Sequence, residues 1–215
     1  MAEMLGKIAV YFSNNMSSFQ LAVREHITLS LISLFVAMII GVTLGVICVL
    51  YSSGQKWIVG VFQVLRIVPS LAVLVMLIPI MGTGERPAIT ALVLLAMPPI
   101  LMNTVAGLEE VPAFMLETAE GMGMTGSQIW KRVRMPLALP LILAGIKIAM
   151  IEIIASATIA AKIGAGGLGG IIFTGLGLNR VDLLLIGGIS VALLSITAGV
   201  LMDLLDRIFL KYKYI

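Results

Sequence analysis

The sequence predicts an all-α integral membrane protein with five transmembrane helices. Of its 215 residues, 60% are hydrophobic and only 12% are charged, and the mean hydropathy is +1.13. A soluble domain has about 45–50% apolar and about 25% charged residues, and a globule of this size cannot bury so many apolar side chains. A water-soluble enzyme and a disordered chain are therefore excluded.

Five apolar stretches are long enough to cross a bilayer, because a hydrocarbon core about 30 Å thick requires about 20 helical residues. We predict a single transmembrane domain over residues 1–215. Its spans are residues 27–50, 57–81, 87–108, 135–161 and 183–202. Arg66 and Pro69 interrupt the second span, and the fourth carries Lys147 and Glu152.

A further apolar stretch, residues 163–178, is rich in glycine. Each glycine lowers helix stability by about 1 kcal/mol relative to alanine, so we expect a broken or re-entrant segment. Its first glycines fit the spacing G-x-G-x-x-G, but they lie between membrane helices, whereas a dinucleotide site requires a preceding strand. The sequence also has no P-loop motif, so ATP binding by this chain is not expected.

Basic residues near the predicted helix ends indicate the orientation. One side of the membrane carries Lys56, Lys131, Arg132, Arg134, Arg207, Lys211 and Lys213, and the other carries Lys7, Arg24, Arg86 and Arg180. The richer side is expected to be cytoplasmic, which places the N-terminus outside and the C-terminus inside. A net charge of +3, divided among short loops, does not indicate a nucleic-acid partner.

The loop 109–134 predicts two short amphipathic helices joined by a glycine elbow. Pro112 suits the first turn of one helix, Gly123 suits its end, and Ser127 can cap the second helix. Pro136 is then expected to start the fourth span. The amphipathic shape alone favours a helix that anchors at the lipid headgroups. The spacing of the residues, however, favours a different interpretation.

That spacing resembles the EAA loop of ATP-binding-cassette importer permeases, whose pattern is E-A-A, three residues, G, nine residues, I-x-L-P. The matching residues are Glu117, Ala119, Gly123 and Pro136, with conservative departures at Thr118, Val133 and Met135. The resemblance implies a type I importer permease fold. It also implies that residues 109–134 form the coupling helix loop, which sits in a cleft of the ATPase subunit.

Four segments resemble the osmoprotectant branch of this family, whose members import glycine betaine, carnitine or choline. They are His26–Ser30, Val68–Ala72, Pro98–Thr104 and Ile163–Gly169. The candidate pathway or gate residues are Arg66, Pro69, Ser70, Asn103, Glu152, Gly164, Gly166, Gly167 and Gly169. Arg66 and Glu152 stand where the branch usually has uncharged residues. The glycines fit tight helix packing as well as they fit a gate.

The charges inside the spans are expected to face protein or water, because a charge at a helix centre costs about 2.5–3.5 kcal/mol. Lys147 and Glu152 are about 140° apart around a helix and are poorly placed to pair with each other. We predict that Glu152 pairs with Arg66 or with a charge on a partner subunit. The alternative is that Glu152 contacts a cationic substrate.

The resemblance implies a transport subunit of the bacterial plasma membrane, with no catalytic residues, cofactor or metal of its own. ATP is expected on partner ATPase subunits. The other implied partners are a second permease subunit, identical or homologous, and an extracytoplasmic substrate-binding protein. Only 6% of residues are aromatic, and few lie in the spans, so an aromatic cage for methylated ammonium groups is not predicted.

Three alternatives remain open at this point. Within the family, the substrate could be methionine or another amine. An ion-coupled secondary carrier is the alternative class, although such carriers usually show two broken helices in matching repeats and this sequence shows one glycine-broken segment. An intramembrane enzyme would need a constellation of reactive side chains, which the spans do not offer.

Overall fold

The computed structural model describes residues 2–210, and every regular element in that range is helical. The helices are α1 (Ala2–Leu50), α2 (Ser52–Ile67), α3 (Ser70–Met81), α4 (Glu85–Glu109), α5 (Ala113–Gly121), α6 (Gly126–Ile129), α7 (Met135–Ala160), α8 (Leu168–Gly177) and α9 (Val181–Phe209). A π-helical turn, Trp130–Arg134, joins α6 to α7, and a 3-10 turn, Ala161–Ile163, follows α7. The all-α prediction is confirmed. Lys211 and Lys213, which entered the orientation prediction, lie outside the described residues.

Within residues 2–210, four helical segments are long and apolar enough to cross a membrane. They are α1, α4, α9 and the continuous segment Gly126–Ile163, which we call the coupling rod. The pair α2 and α3 makes a fifth span if the two are counted together, but they are bent by 100°. The predicted span 57–81 is therefore two helices.

The bend between α2 and α3 follows from Pro69. Proline lacks an amide hydrogen, and its ring disfavours helical backbone in the preceding residue. Val68 (φ −69°, ψ 126°) and Pro69 (φ −59°, ψ 134°) are accordingly extended.

Helix α1 is much longer than the predicted span 27–50. It has 49 residues, and only Asn15 departs from helical backbone angles. Asn15 therefore marks a kink between two helical parts. The part after the kink, residues 16–50, is about 52 Å long at 1.5 Å per residue, which exceeds the hydrocarbon thickness of a bilayer. Part of α1 must therefore project beyond the membrane.

Helix α4 is the centre of the bundle and packs against α1 on one side and α7 on the other. Its side chains Leu92, Ile100 and Leu108 are fully enclosed. Lipid tails are as apolar as these side chains, so close packing contributes more to helix association in a membrane than apolar burial does. The contacts of α4 therefore depend on how closely its neighbours approach.

Glycines allow that close approach. A Cβ atom on Gly45 of α1 would lie 2.7 Å from Thr104 of α4, and one on Gly145 of α7 would lie 2.7 Å from the carbonyl oxygen of Pro99. Both distances are shorter than a carbon atom tolerates, so only glycine fits where these helices meet. Small residues of this kind are typical of membrane helix interfaces.

The two ends of α4 define two ends of the bundle. At the first, which we call the glycine-turn end, the Gly84 amide donates to the carbonyl of Ile163 at 2.7 Å. At the second, the loop end, Arg134 Nε donates to the carbonyl of Leu108 at 3.2 Å. Because α4 is about 37 Å long at 1.5 Å per residue, the two ends lie on opposite sides of a bilayer.

Gly145→Ala is expected to destabilise the chain by about 1–3 kcal/mol, because the added methyl group overlaps the backbone of α4. Thermal unfolding of the purified protein in detergent measures the effect. Gly188→Ala on α9 is the matched control, since a Cβ atom there has nothing within 4 Å. Equal unfolding midpoints for the two variants would contradict the packing argument.

Candidate functional site

Helices α5 and α6 form a hairpin at the loop end, and Gly123 makes its elbow. The amide of Met124 donates to the carbonyl of Ala119 at 3.1 Å, and the amide of Gly123 donates to the carbonyl of Glu120 at 2.8 Å. This pair of bonds is the Schellman arrangement that ends many helices. Gly123 has φ +80°, a conformation that strains residues with a side chain.

Thr125 caps α6, so the expectation that Ser127 would do so is wrong. The Thr125 hydroxyl accepts from the amide of Gln128 at 3.4 Å, and the Gln128 side chain accepts from the amide of Thr125 at 2.8 Å. These reciprocal bonds form a capping box, which satisfies two free amides at once. The helix therefore begins at Gly126, one residue before Ser127.

Pro136 lies in the first turn of α7, as expected, but α7 continues from α6 without a break in the helical segment. It therefore lies inside the coupling rod, which begins at Gly126 and continues to Ile163. Proline offers no amide hydrogen to the preceding turn and crowds the carbonyl four residues earlier. The wider π turn at Trp130–Arg134 lies immediately before it, and turns of this kind are often found at functional positions.

The hairpin presents apolar side chains that no other described part of the chain covers. Phe114 is 63% exposed and Met122 is 71% exposed, and Glu117 beside them is exposed too. Ala119 is buried, while Val133 and Met135 are half-buried along the rod. An exposed apolar patch of this kind marks a surface that contacts another protein or the membrane.

The hairpin is tied to the rest of the bundle through Arg134. Its guanidinium lies 5.4 Å from the centre of the Trp130 ring, a cation–π distance. The same side chain donates to the Leu108 carbonyl at the end of α4. The π turn, and with it the rod, is therefore held against the core at the loop end.

Arg66, Pro69 and Ser70 lie together at the break between α2 and α3, and α3 packs against α7, which carries Glu152. Arg66 acts electrostatically on Glu152. However, the ion pairs within the described residues do not include one between Arg66 and Glu152. The predicted bond between these two side chains is thus absent from this chain, and pairing with a partner subunit stays a prediction.

Lys147 has a partner that sequence reasoning missed. Its Nζ lies 2.5 Å from Oδ1 of Asp203 on α9. The side chain of Lys147 is 36% exposed and that of Asp203 is 57% exposed. Asp203 lies just beyond the predicted span 183–202, whereas α9 continues to Phe209. Because Asp203 falls outside the predicted span, hydropathy alone does not indicate it as a partner for Lys147.

The glycine segment forms a tight turn that α1 holds in place. Gly164, Gly166 and Gly167 have φ values of +83°, +76° and +83°, which glycine adopts without strain. The carboxylate of Glu25 accepts from the Gly167 amide at 2.8 Å. His26 Nε2 lies 3.1 Å from the Ile154 carbonyl of α7, to which it can only donate. We call Glu25 and His26 the α1 clamp.

Gly169 shows that packing is one reason for the glycines. A Cβ atom there would lie 1.9 Å from the carbonyl oxygen of Thr158, so α8 could not fold back on α7 with any other residue. Asn103 is also a packing residue in this chain. Its amide nitrogen donates to the Pro99 carbonyl at 2.8 Å. Its Cβ packs so close to Gly145 that a Cβ atom added to that glycine would lie 2.7 Å away.

The candidate residues therefore fall into separate places. The coupling candidates cluster at the loop end, and three pathway candidates, Arg66, Pro69 and Ser70, lie at the α2–α3 break. Asn103 and Glu152 lie along α4 and α7, and the glycines lie at the glycine-turn end. Within the described residues, no group of three His, Cys, Asp or Glu side chains could hold a metal ion.

The family of binding-protein-dependent transport system inner membrane components matches residues 37–211. The chain belongs to this family. The resemblance seen in the sequence is thereby confirmed, and the chain is a transport permease component. Membership implies ATPase and substrate-binding partners and a membrane setting.

Individual relatives of this permease cover most of its length. The choline transport system permease protein OpuBB of Bacillus subtilis (strain 168) is 39% identical over 183 residues, which are 85% of this chain and 84% of that protein. The glycine betaine/carnitine/choline transport system permease protein OpuCB of the same strain is 38% identical over 183 residues, with the same coverage of 85% and 84%.

The permease also resembles a solved importer structure. It matches a chain from inward-facing conformations of the MetNI methionine ABC transporter with a TM-score of 0.80, covering 91% of this chain and 98% of that chain at 24% identity. At that identity the likeness concerns the fold alone. It confirms the predicted type I importer permease fold.

Glu25→Leu is expected to loosen the glycine turn, because the Gly167 amide loses its acceptor and an unsatisfied buried donor costs about 1–3 kcal/mol. Amide hydrogen exchange at residues 164–170 measures the change and should become faster. Glu25→Gln is the matched control, since its side-chain oxygen can still accept. Equal exchange in all three proteins would show that the clamp does not hold the turn.

Proposed function

We propose that this chain is the membrane-spanning permease subunit of an ATP-driven importer for quaternary ammonium osmoprotectants, namely glycine betaine, carnitine and choline. The observation that carries the proposal is the similarity to relatives named for these compounds, at 38–39% identity over 85% of the chain. The methionine importer chain is 24% identical to this chain. A likeness at that identity supports the fold but not the substrate.

The loop end faces the cytoplasm of a bacterial cell, with the N-terminus outside and the C-terminus inside. This placement is supported by Lys131, Arg132 and Arg134, which all lie in the π turn at the loop end. Basic residues are enriched in cytoplasmic loops.

ATPase subunits bind the α5–α6 hairpin and carry the bound ATP, so no cofactor is expected on this chain. The exposed Phe114 and Met122 side chains suit an apolar docking contact, and Glu117 suits a polar contact at its edge. A second permease subunit, identical or homologous, completes the pathway, because five spans enclose a channel poorly. An extracytoplasmic binding protein delivers the substrate at the glycine-turn end.

Coupling then follows from rigidity. When the ATPase subunits close, they displace α5, and the elbow at Gly123 passes this displacement to the coupling rod, Gly126–Ile163. The rod is about 57 Å long at 1.5 Å per residue. It reaches from the docking surface past Glu152 to the glycine turn, where the clamp residue Glu25 bonds the Gly167 amide.

Uptake of labelled glycine betaine, carnitine, choline and methionine tests the proposal. Cells that lack this chain are compared with cells in which it is restored, with the other subunits present, at high and low salt. Uptake of methylated ammonium compounds that depends on the chain and rises with salt is expected. If only methionine uptake requires this chain, the substrate assignment changes to methionine. If uptake of none of the compounds requires it, the proposal is contradicted.

Gly123→Leu is expected to leave membrane insertion intact but to uncouple transport from ATP hydrolysis. A side chain at φ +80° costs about 1–2 kcal/mol, and the hairpin relieves it by changing the elbow angle. Substrate uptake and ATPase activity are measured together in reconstituted vesicles. Gly121→Leu is the matched control, because Gly121 is helical and a Cβ atom there meets nothing within 4 Å. Normal uptake by Gly123→Leu would refute the role of the elbow.

A further inference from the structure

Three buried polar atoms on α1 have no hydrogen-bond partner within the part of the chain that the structure describes. They are Nδ1 of His26 and the hydroxyl oxygens of Ser30 and Ser33. The three residues are no more than 1% exposed, so neither lipid nor another subunit reaches them. An unpaired buried polar atom is costly, and folded proteins satisfy nearly all such atoms.

The spacing of the three residues places them side by side. Ser30 follows His26 by four residues and Ser33 follows Ser30 by three, and α1 is helical over this range. At about 100° per residue, the three positions fall within about 60° of one another around the helix. Neighbours at these spacings have Cβ atoms about 5–6 Å apart. We call this group of three residues the α1 polar stripe.

The stripe lies where α1 meets α4 and α7. His26 at one end of the stripe bonds the Ile154 carbonyl of α7. Leu29 and Ala37, on the same side of α1, belong to the apolar core that α1 shares with α4 and α7, and each of these three helices packs against the other two. The apolar side chains of that core cannot satisfy the serine hydroxyls.

The two serine hydroxyls also make no bond within their own helix. Other hydroxyls in the described helices donate to the carbonyl four residues earlier, which is the usual local bond of a helical Ser or Thr. Examples are the hydroxyls of Thr90, Thr104, Thr118, Thr158, Thr174, Ser190 and Thr197. Ser30 and Ser33 lack this bond, so their hydroxyls remain available to a partner outside α1.

The chemistry of the three atoms selects that partner. Nε2 of His26 donates to the Ile154 carbonyl, so Nδ1 of the neutral imidazole is an acceptor, whereas a hydroxyl both donates and accepts. The set is uncharged and includes a ring nitrogen, which does not suit hard cations that prefer oxygen ligands. A neutral molecule that donates and accepts fits the set, and the enclosure of the stripe limits its size to that of water.

We propose that the α1 polar stripe binds two water molecules at the junction of α1, α4 and α7. One joins Nδ1 of His26 to the Ser30 hydroxyl, and the other joins the hydroxyls of Ser30 and Ser33. A water with two hydrogen bonds of about 2.8 Å spans up to about 5.6 Å, which matches the spacing of neighbours on the stripe. Buried waters characteristically bind polar atoms that the protein leaves unpaired. The inference goes beyond the proposed function and is independent of the substrate.

The hydrated stripe gives the joint between α1 and the coupling rod a property that the α1 clamp lacks. The clamp bonds, from Gly167 to Glu25 and from His26 to Ile154, are direct and fix one geometry. Water-mediated bonds are nearly as favourable as direct ones, and the bridging molecule changes position when its partners move. A small displacement of α1 against the rod therefore leaves no polar atom of the stripe unpaired.

Transfer of magnetisation from water protons tests the site in the wild-type chain. The full-length chain, with serine and alanine labelled by carbon-13, is measured by solid-state NMR in lipid bilayers. At short mixing times, the Cβ signals of Ser30 and Ser33 should be several-fold stronger than that of Ala37. Ala37 is the matched control because it is fully buried on the same side of α1. Equally slow transfer to all three residues would overturn the proposal.

Thermal unfolding of the full-length chain gives a second test, in which the sign of the change decides. Ser30→Ala and Ser33→Ala should each lower the unfolding midpoint by about 2–4 °C relative to Ser18→Ala, because each removes a hydrogen bond to bound water. Ser18 is exposed on the same helix, so its exchange reports only the helix preference of alanine. Removing a hydroxyl that has no partner stabilises a protein, so midpoints equal to or above the control would overturn the proposal.

The double variant Ser30→Ala/Ser33→Ala tests whether the two serines share a water molecule. Its midpoint should fall by less than the sum of the two single changes, since the second substitution removes a bond to a water that is already displaced. Additive losses would overturn the bridge between the serines.

Discussion

The backbone contact of α4 with α1 and α7 determines where every other part of the permease lies. Lipid tails surround the bundle, so moving apolar side chains from lipid into the bundle contributes little free energy. The helices are held together by the close packing of their backbones. Gly45 and Gly145 allow that fit on the two sides of α4. Because α7 is pressed against α4 along its length, the loop hairpin, Glu152 and the glycine turn acquire fixed relative positions.

Much of this arrangement could be predicted from local sequence. Hydropathy located the spans, since each is a continuous apolar run, and Pro69 marked the place where the second one breaks. The EAA-like spacing identified the hairpin and its elbow at Gly123, because the features involved are close in sequence. The error at Ser127 arose because two local cap signals competed, and the capping box at Thr125 began the helix earlier.

The contacts that could not be predicted join distant parts of the chain. The bond between Glu25 and the Gly167 amide links residues 142 positions apart, and that between Lys147 and Asp203 links residues 56 positions apart. Periodicity and spacing describe one helix at a time and carry no information about which faces of two helices meet. The sequence marked the charges as unusual, but only the packing shows which of them are neutralised within the chain.

The unbroken coupling rod has a geometric consequence for the opposite side of the membrane. If a segment about 57 Å long tilts as one body by about 5° around its midpoint, its two tips move by about 2.5 Å in opposite directions. A hydrogen bond of 2.8 Å, such as the one between Glu25 and Gly167, does not survive a shift of that size if α1 stays still. Either α1 moves with the rod as one body, or the bond between Glu25 and Gly167 breaks at each tilt. In the second case, a small rotation at the loop end becomes an all-or-none change at the glycine-turn end.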